Sequence, residues 1–473
     1  MKAARASRNG HEGEAGVLTS SSALQASREV IASSGERMHA LASELFPICR
    51  SITGDGLRRT LRRIQREIPI TIHEVPSGMP VLDWSVPDEW NIRDAWIKNS
   101  RGERIVDFQQ SNLHVVNYSV PVRARMSLAE LKPHLHTLPD RPDWIPYRTT
   151  YYQRDWGFCL AHHRLQHLNE DDYEVCIDAT IEPGALSYGE LLIPGETKKE
   201  FLISCHCCHP SLANDNLSGI VVAVELAKWL TGLRRTSFRH SYRFLLIPGT
   251  IGAITWLARN EDMTARIQHG LVLTCLGDAD HLTYKKSRRG DAAIDEAVQR
   301  ALRQTGIPHR VVDFSPYGYD ERQYCSPGFD LPIGCLMRSQ HGTFPEYHTS
   351  ADNLDFIKPA MLEDSLEKLS AIIREVENQT GANTVSAPVR APRTTNHEPH
   401  FLNLKPKGEP QLSKYGIYET LNGDVMPALW VLNLSDGAHS LPEIAARSGL
   451  PFDKVARAAD ILLKRGLLKE VEP

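Results

Sequence analysis

Cysteine is scarce in this chain, and its placement is uneven. The 473 residues include nine cysteines, an odd number, and Cys205, Cys207 and Cys208 lie together in one short segment. Secreted proteins that depend on disulfides usually have a higher density of cysteine and an even number of them. The scarcity therefore argues against a disulfide framework and favours a reducing compartment, for which the cytoplasm is the default.

The chain also lacks long apolar runs and a strong net charge. No stretch approaches the roughly 20 apolar residues that a transmembrane helix needs. The first 30 residues are polar and have no apolar core of a secretory signal. A formal net charge of −4 provides no field that would attract nucleic acid or an anionic membrane surface. We therefore expect a protein without a membrane partner.

The most informative feature that is present is one segment rich in metal-ligating side chains. Residues 203–219 contain His206, His209 and Asp215 beside the three cysteines. The apolar residues before His206 predict the end of a buried strand, and the apolar periodicity after Ser218 predicts a helix. In open α/β sheets, ligands bind at the carboxyl ends of the strands. The position of this loop therefore favours a catalytic metal site.

Two later segments offer further ligands at the ends of elements. Asp278 directly follows an apolar run, and His348 lies in the polar segment 345–352. A hydrolytic zinc site needs three protein ligands and one open position, and a two-metal site also needs a bridging carboxylate. A cysteine nucleophile paired with a histidine is an alternative use of the same loop. The neighbouring imidazoles and the carboxylate favour a metal.

The length of the chain and the pattern of its predicted strands and helices indicate several domains. A prior of roughly 150 residues per domain gives about three. Apolar strands that alternate with helices predict an α/β domain with a mixed, mostly parallel sheet flanked by helices, whereas short strands punctuated by Pro, Gly and Asp predict a β-rich insertion. The predicted units are a disordered tail (1–35), an α/β domain (36–67 and 183–380), an inserted β-rich domain (68–182), a linker (381–410) and a winged helix-turn-helix domain (411–473).

The inserted and C-terminal units carry their own signals. The insertion is rich in aromatic residues such as Trp84 and Tyr147, which we expect in a core or interface, with the lining of a pocket as the alternative. In the C-terminal unit, two helical patterns flank a turn at Gly449, which is typical of a winged helix-turn-helix. Its second helix mixes acidic and basic residues and has no basic stripe, so contact with a protein is favoured over contact with DNA.

The order of the motifs resembles a known group of enzymes, the co-catalytic di-zinc aminopeptidases of the bacterial leucyl type. The likeness is closest to aminopeptidase-like proteins with an inserted β-rich domain and a C-terminal winged helix, and it covers about residues 36–473. It implies an aminopeptidase-like fold and a site for one or two zinc ions. The motifs that carry the resemblance are His206-x-x-His209-Pro-Ser, Asn214-Asp215-Asn216-x-Ser-Gly, Asp278 after a later strand, and Tyr347-His348-Thr-Ser-x-Asp.

The resemblance gives each candidate ligand a role. It implies that His206 or His209 is the first imidazole ligand and that Asp215 is the bridging carboxylate. It also implies that Asp278 binds one metal and that His348 binds the other.

The sequence departs from the resembled enzymes at the position of their catalytic base. Those peptidases carry two adjacent glutamates after the next strand, one as base and one as zinc ligand, whereas this chain has Gly249 and Thr250. A general base contributes roughly 100- to 10,000-fold to a rate. The substitutes that we expect are Glu346, two residues before His348, and Glu321. A smaller departure is Cys208 in place of the Asp of a His-x-Asp motif, a group that orients the ligand.

These observations predict a cytoplasmic zinc hydrolase of aminopeptidase type, which cleaves an amide next to a free amine in a peptide or a small aminoacyl conjugate. One alternative is a metal- or ligand-binding protein that has lost catalysis, which the missing glutamates allow. Another is a regulator that acts through the winged helix. The sequence leaves open whether the chain forms a homo-oligomer.

Overall fold

The computed structural model of this chain describes residues 34–169, 171–233, 238–378 and 399–471, and its centre is an eight-stranded mixed sheet. The four strands in the middle of the sheet run parallel, and antiparallel pairs lie toward its edges. This arrangement confirms the predicted α/β class. The strands, in their order across the sheet, are Thr71–Pro76, Ala185–Ile193, Ser241–Ile247, Glu200–His206, Ile267–Leu273, Ile333–Met337, Leu282–Lys285 and His309–Val312.

Helices cover this sheet. Successive residues of the central strand Glu200–His206 are all buried, and Phe201 and Ile203 pack into one apolar core whereas Leu202 packs into another on the opposite face. A strand buried on both faces is largely apolar, and here the apolar run Phe201–Ile203 forms its middle. Within the described ranges, no helix combines the length and the apolar character that crossing a membrane requires. The helices of this unit are Ser34–Leu45, Asp55–Gln65, Gly219–Gly232, Ile251–Arg259, Ala293–Gln304, Glu321–Tyr324 and Pro359–Asn378, with shorter helical turns at Ala213–Ser218 and Glu261–Arg266.

The inserted unit forms a smaller antiparallel sheet, whose apolar residues join the core on one side of the central sheet. Its apolar residues share a core with the helix Ile251–Arg259. Its elements are the four-stranded sheet Arg104–Asp107, Glu89–Lys98, Asp172–Glu182 and Val122–Ser127, the two-stranded pairs Pro80–Val81 with Trp84–Ser85 and Leu135–His136 with Phe158–Cys159, and the helices Asn112–His114, Leu128–Leu131, Lys132–His134 and His162–Gln166.

The C-terminal unit has a core of its own, built from three strands and a set of helices. The capping box at Ser440 and Glu443 begins the first helix of the helix-turn-helix, and Gly449 ends that helix with φ of 68°. A left-handed residue at this position favours glycine. Its elements are the strands Asp436–Ser440, His400–Asn403 and Leu468–Val471 and the helices Leu412–Tyr415, Ile417–Thr420, Met426–Leu434, Leu441–Ser448 and Phe452–Lys464.

The structure moves three of the predicted boundaries. Thr71–Pro76, placed in the insertion by its sequence, is an edge strand of the central sheet. His400–Asn403, placed in the linker, is the middle strand of the C-terminal sheet. Both strands are short, so their sequence patterns do not reveal which sheet they join. Ser34 and Gly35 belong to the first helix, while the rest of the predicted tail and residues 379–398 of the predicted linker lie outside the described residues.

The C-terminal unit is fastened to the rest of the chain by charged contacts. The Arg288 guanidinium lies 2.9 Å from the carboxylate of Asp436. The Asp83 carboxylate, in the insertion, accepts hydrogen bonds from the backbone N–H of Gln411 and from the hydroxyl of Tyr415, both at 2.9 Å. The winged helix therefore packs onto both other units.

Candidate metal centre

The metal-ligating segment lies where the sequence places it, at the carboxyl end of a central strand. His206 is the last residue of the strand Glu200–His206 and is fully buried. The chain then turns through His209 into the helical turn Ala213–Ser218, which contains Asp215 and leads directly into the helix Gly219–Gly232. Asp215 is also fully buried. The loop is thus a fixed connection between two packed elements.

The Asp215 carboxylate is the centre of a group of three imidazoles. Its Oδ1 atom lies 2.8 Å from Nε2 of His206. Its Oδ2 atom lies 3.2 Å from Nδ1 of His209 and 3.0 Å from Nε2 of His348. The two oxygens therefore face different histidines, as a carboxylate that bridges two cations would.

The donor set fits a divalent metal. One ligand atom from each of His206, His209 and Asp215 lies within 4.8 Å of the others. Imidazole nitrogens and carboxylate oxygens are common ligands of zinc, which takes three protein ligands in a catalytic site. Burial lowers the pKa of His206 to about 4, so its imidazole is neutral at physiological pH. A neutral imidazole is the form that binds a metal.

The backbone of the bridging residue is held by a second carboxylate. Asp352 accepts hydrogen bonds from the backbone N–H groups of Asn214, at 2.5 Å, and Asp215, at 3.0 Å. Burial raises the pKa of Asp352 to about 8. Asn216, the next residue, donates to the carbonyl oxygens of His206 and Leu273 at 3.2 and 3.0 Å. These contacts fix the direction in which the Asp215 side chain points.

Asp278 lies beside this group and has other partners. It is buried, and its oxygens accept hydrogen bonds from the Asn214 side chain at 2.8 Å and from the Ser339 hydroxyl at 2.9 Å. The compact set of ligand atoms around Asp215 does not include it. Its predicted role as a ligand therefore stays a prediction.

The two glutamates predicted as substitute bases lie in different surroundings. Glu321 is fully buried, and its carboxylate lies 2.7 Å from the Lys285 ammonium. Burial is the largest single influence and raises the pKa of Glu321, but the charge and hydrogen bond of Lys285 together with the charge of His341 lower it, and the net shift of the pKa is downward. Glu346 is half-buried, and its carboxylate has no ion pair or hydrogen bond with any described residue. Neither side chain lines the cleft described below.

The cysteine alternative fits the site less well than a metal does. Cys208 lines the cleft, but its Sγ atom accepts a hydrogen bond from the backbone N–H of Gly249 at 3.2 Å. Burial raises the pKa of Cys208 to about 12, and burial also raises the pKa of Cys205 and Cys207. A cysteine nucleophile requires a lowered pKa. The thiols of this loop therefore act as packed side chains.

Tyrosine rings surround the imidazoles, and one of them, Tyr319, was not predicted from the sequence. The ring of Tyr319 stacks on that of His206 at 3.6 Å, and its hydroxyl lies 2.9 Å from Nε2 of His209. Tyr347 stacks on His348 at 4.0 Å, and the Tyr147 ring lies 5.1 Å from the rings of His209 and His348. Tyr347, adjacent to His348, was signalled by its position in a motif, and Tyr147 was named among the aromatic residues of the insertion. Tyr319 is brought in by the fold alone.

Tyr319 also occupies space next to the missing glutamate pair. A Cβ atom added at Gly249 would lie 3.0 Å from Cε1 of Tyr319. The ring thus fills the volume into which a longer side chain at position 249 would extend. At the next position, the backbone N–H of Thr250 donates to Asp320 at 2.6 Å.

The imidazoles of His209 and His348 line a cleft of about 510 Å³, a volume within the range of small-molecule sites. All three units contribute to its walls. The α/β domain supplies Tyr317, Tyr319 and Arg322, and the C-terminal unit supplies Glu409 and Tyr418. The residues from the insertion are Trp84, Tyr147, Arg148, Thr149, Tyr151 and Tyr152. Trp84 and Tyr147 of the insertion therefore line a pocket, the alternative that their sequence left open, whereas Trp90 and Trp96 are buried in the core, as expected.

Comparisons with known proteins agree with this architecture. A family model described as "Domain of unknown function (DUF4910)" matches residues 39–379, and a winged helix-turn-helix model matches residues 400–470. A relative from Clostridium acetobutylicum, named "Putative polysaccharide biosynthesis protein with aminopeptidase-like domain", is 48% identical over 443 residues, which cover 92% of this chain and 97% of the relative.

Solved structures show the same fold. A crystal structure described as a putative peptidase from Clostridium acetobutylicum has a TM-score of 0.73 and 47% identity, and covers 95% of this chain and 100% of its own. A zinc aminopeptidase from Bacillus subtilis has a TM-score of 0.54 and 13% identity over 73% of this chain and 95% of its own. An M28 peptidase precursor from Shewanella amazonensis has a TM-score of 0.52 and 12% identity over 76% and 97%. The aminopeptidase-like fold is thereby confirmed.

Proposed function

This chain belongs to the family described as domain of unknown function DUF4910, and on that premise we propose that it is a zinc-dependent hydrolase that cleaves an amide bond of a peptide or a small aminoacyl conjugate. One observation carries the proposal. The imidazoles of His206, His209 and His348 converge on Asp215 at the carboxyl edge of the central sheet.

These four side chains would hold the zinc, as one ion or as two that share Asp215. A bound zinc ion supplies Lewis acidity, which polarises a carbonyl group and lowers the pKa of a water molecule. The chain's own part is to keep the imidazoles neutral and the carboxylate in place. Asp352 does the latter by holding the backbone N–H groups of Asn214 and Asp215.

Tyr319 would have two tasks in such a site. Its hydroxyl meets His209 at the ring nitrogen that points away from Asp215, at 2.9 Å, and so fixes the orientation of this imidazole. Its ring covers one face of His206 and keeps water from that side. Burial raises the pKa of Tyr319 well above its usual value, so the hydroxyl keeps its proton at physiological pH.

Of the two substitute bases, we retain Glu346 for proton transfer, which requires its side chain to turn into the cleft that it does not line in this conformation. Its carboxylate has no ion pair or hydrogen bond within the described part of the chain and lies two residues from His348. Glu321, in contrast, is buried and neutralised by Lys285. A carboxylate already engaged with a buried cation is a weak proton acceptor, because the ion pair lowers its pKa.

Metal analysis together with an amide-hydrolysis assay tests the proposal. We expect zinc in the purified chain and hydrolysis of at least one member of a panel of aminoacyl anilides and N-acylated amino sugars. The sugars belong on the panel because the Clostridium relative is named for polysaccharide biosynthesis. Asp215→Ala and His348→Ala should lose both zinc and hydrolysis.

Two exposed positions provide matched controls. Asp313→Ala and His281→Ala remove the same side-chain types from the surface of the same domain and should keep zinc and activity. Full zinc content in both Asp215→Ala and His348→Ala would refute the site. Zinc bound at the site without hydrolysis of any amide would instead favour a binding protein.

A further inference from the structure

The charges in the cleft are unusual for a site that binds a free amine. An unpaired carboxylate is the strongest common partner for a substrate ammonium group. Among the residues that line the cleft, all of them described, the only carboxylate belongs to Glu409. Its Oε2 atom lies 3.0 Å from the Arg322 guanidinium, which also lines the cleft. The one negative charge on the wall is therefore already paired.

Arg148, in contrast, brings an unpaired positive charge to the same cleft. Its side chain is exposed and forms no ion pair or side-chain hydrogen bond with any described residue. Its position is fixed by its neighbour, because the backbone N–H of Tyr147 donates to the carbonyl oxygen of His348 at 2.8 Å. The bridge between Pro146 and Thr349 holds the same two segments together. Arg148 therefore stands beside the proposed metal ligands.

The Arg322 guanidinium also has N–H donors beyond the one that is paired with Glu409. Its side chain is 19% exposed, and one of its terminal nitrogens forms an ion pair with the Glu409 carboxylate. Its Nε atom is buried and has no hydrogen-bond partner among the described residues. A ligand in the cleft cannot reach this buried atom. The contact that Arg322 can offer therefore comes from the partly exposed part of its guanidinium, of which one terminal nitrogen is paired with Glu409.

We propose that the substrate carries a carboxylate or a phosphate group, which Arg148 and Arg322 bind, and that a free amine beside the scissile amide is not required. This inference rests on the proposed amide hydrolysis for the reaction and adds the class of substrate. Guanidinium groups bind carboxylate and phosphate through paired N–H donors. The two arginines against one glutamate also give the wall a positive balance, which attracts anions.

The remaining wall suits a flat ring. Trp84 and Tyr152 meet edge to face at 5.1 Å, and Tyr152, Tyr317 and Tyr418 are 37%, 49% and 46% exposed. Exposed tyrosines that face one cleft provide stacking surfaces with hydroxyl groups at their rims. A ring-bearing amide with an anionic group is thus the molecule that uses every part of this cleft.

Binding of four matched benzamides to the full-length, zinc-loaded chain tests the proposal. They are N-benzoylglycine, N-benzoyl-O-phosphoethanolamine, N-benzoylglycinamide and N-benzoylethylenediamine, which differ in charge at one end. Calorimetry should show that an anionic member binds about tenfold or more tightly than the neutral one, as expected for one Arg–anion contact. Whether the carboxylate or the phosphate member binds more tightly identifies the group.

Variants locate the contact. Arg148→Gln should remove the preference for the anion and leave binding of the neutral member unchanged, and Arg148→Lys should restore part of it. Arg154→Gln, at an exposed arginine of the same segment that does not line the cleft, should keep the preference. Tightest binding of the cationic member, or an unchanged preference in Arg148→Gln, would overturn the proposal.

The same measurements separate this proposal from the hydrolase proposal. Selective binding of an anion without cleavage of any amide would leave the recognition intact and refute the proposed function. Cleavage that prefers the neutral or cationic member would do the reverse. Because the binding measurement does not require turnover, each outcome decides one of the two questions.

Discussion

Nε2 of His348 lies 3.0 Å from Oδ2 of Asp215, although 133 positions separate the two residues in the chain. Two separate contacts maintain this distance. Asp352, four residues after His348, accepts from the backbone N–H of Asp215, and the insertion holds the His348 carbonyl through Tyr147. The segments that carry Asp215 and His348 are thus each held by a backbone contact. Variants of the residues around these ligands should therefore change metal binding in predictable ways.

Tyr319→Phe should weaken zinc binding without unfolding the site. The change removes the hydroxyl that meets His209 at 2.9 Å and keeps the ring that stacks on His206. Loss of a group that orients a metal ligand typically costs about 10- to 100-fold in affinity. Competition with a chromogenic zinc chelator measures the effect. Tyr324→Phe, which removes a buried hydroxyl bonded to Ser204, is the control and should bind zinc normally; equal affinities in all three proteins would contradict the prediction.

Glu321→Gln should destabilise the fold and leave the zinc content unchanged. The variant leaves the buried Lys285 ammonium without its 2.7 Å partner. Breaking a buried ion pair from one side typically costs about 3–5 kcal/mol. Chemical denaturation measures the loss. In the double variant Glu321→Gln with Lys285→Met, stability should recover in part, and an unaltered denaturation midpoint in the single variant would show that the pair contributes little.

The free energy of unfolding should decrease as pH rises, because of Asp320. Burial raises the pKa of this carboxyl to about 7, and its Oδ2 atom has no hydrogen-bond partner among the described residues. Between the unfolded-state pKa of about 3.9 and the folded value, the folded chain retains a proton that the unfolded chain releases. Stability therefore falls as pH rises through this window, by at most ~1.4 kcal/mol per pH unit, and levels off above it.

Asp320→Asn isolates this contribution, because an amide is uncharged at every pH and can still accept from Thr250. Denaturation midpoints of the variant and the parent, measured at intervals from pH 5 to pH 8, should diverge in favour of the variant as pH rises. Parallel curves for the two proteins would mean that Asp320 is ionised in the folded chain throughout this range.

Asp83→Ala should loosen the C-terminal unit and enlarge the cleft. Asp83 accepts from Gln411 and Tyr415, which lie in the chain between the two cleft residues Glu409 and Tyr418. Hydrogen–deuterium exchange should accelerate at the backbone amides of residues 405–418. Asp424→Ala, which breaks an exposed pair with Lys454 within the C-terminal unit, should not change exchange there. Unchanged exchange in Asp83→Ala would show that other contacts suffice for docking.

The sequence predicted those parts of the molecule that have local causes. The strand that ends at His206 has a continuous apolar run, and the helix after Ser218 has its own periodicity, so both could be placed without a structure. Because parallel strands end at one edge of a sheet, the ligands carried by the strand ends could also be brought together. The predicted α/β class and the C-terminal winged helix followed from the same local patterns.

The parts that could not be predicted depend on contacts between distant segments. Tyr319 reaches His206 only because its loop folds over the end of the strand, and no periodicity signals that approach. Arg148 is one exposed arginine among many until the insertion packs against the His348 segment. Glu321 is a plausible base in the sequence, but Lys285, on a different strand, neutralises it. Packing between units likewise brings Glu409 into the cleft.

The participation of Glu409 and Tyr418 in the cleft wall has a consequence for biosynthesis. A ribosome synthesises the proposed zinc ligands long before it reaches these two residues, so a nascent chain has its metal-ligating histidines while one side of the cleft is still open. The indole N–H of Trp84 donates to the carbonyl oxygen of Glu409 at 2.7 Å and gains this acceptor only when the C-terminal unit docks. A fragment truncated before the winged helix would therefore lack one wall of the substrate cleft, even if its central sheet folded normally.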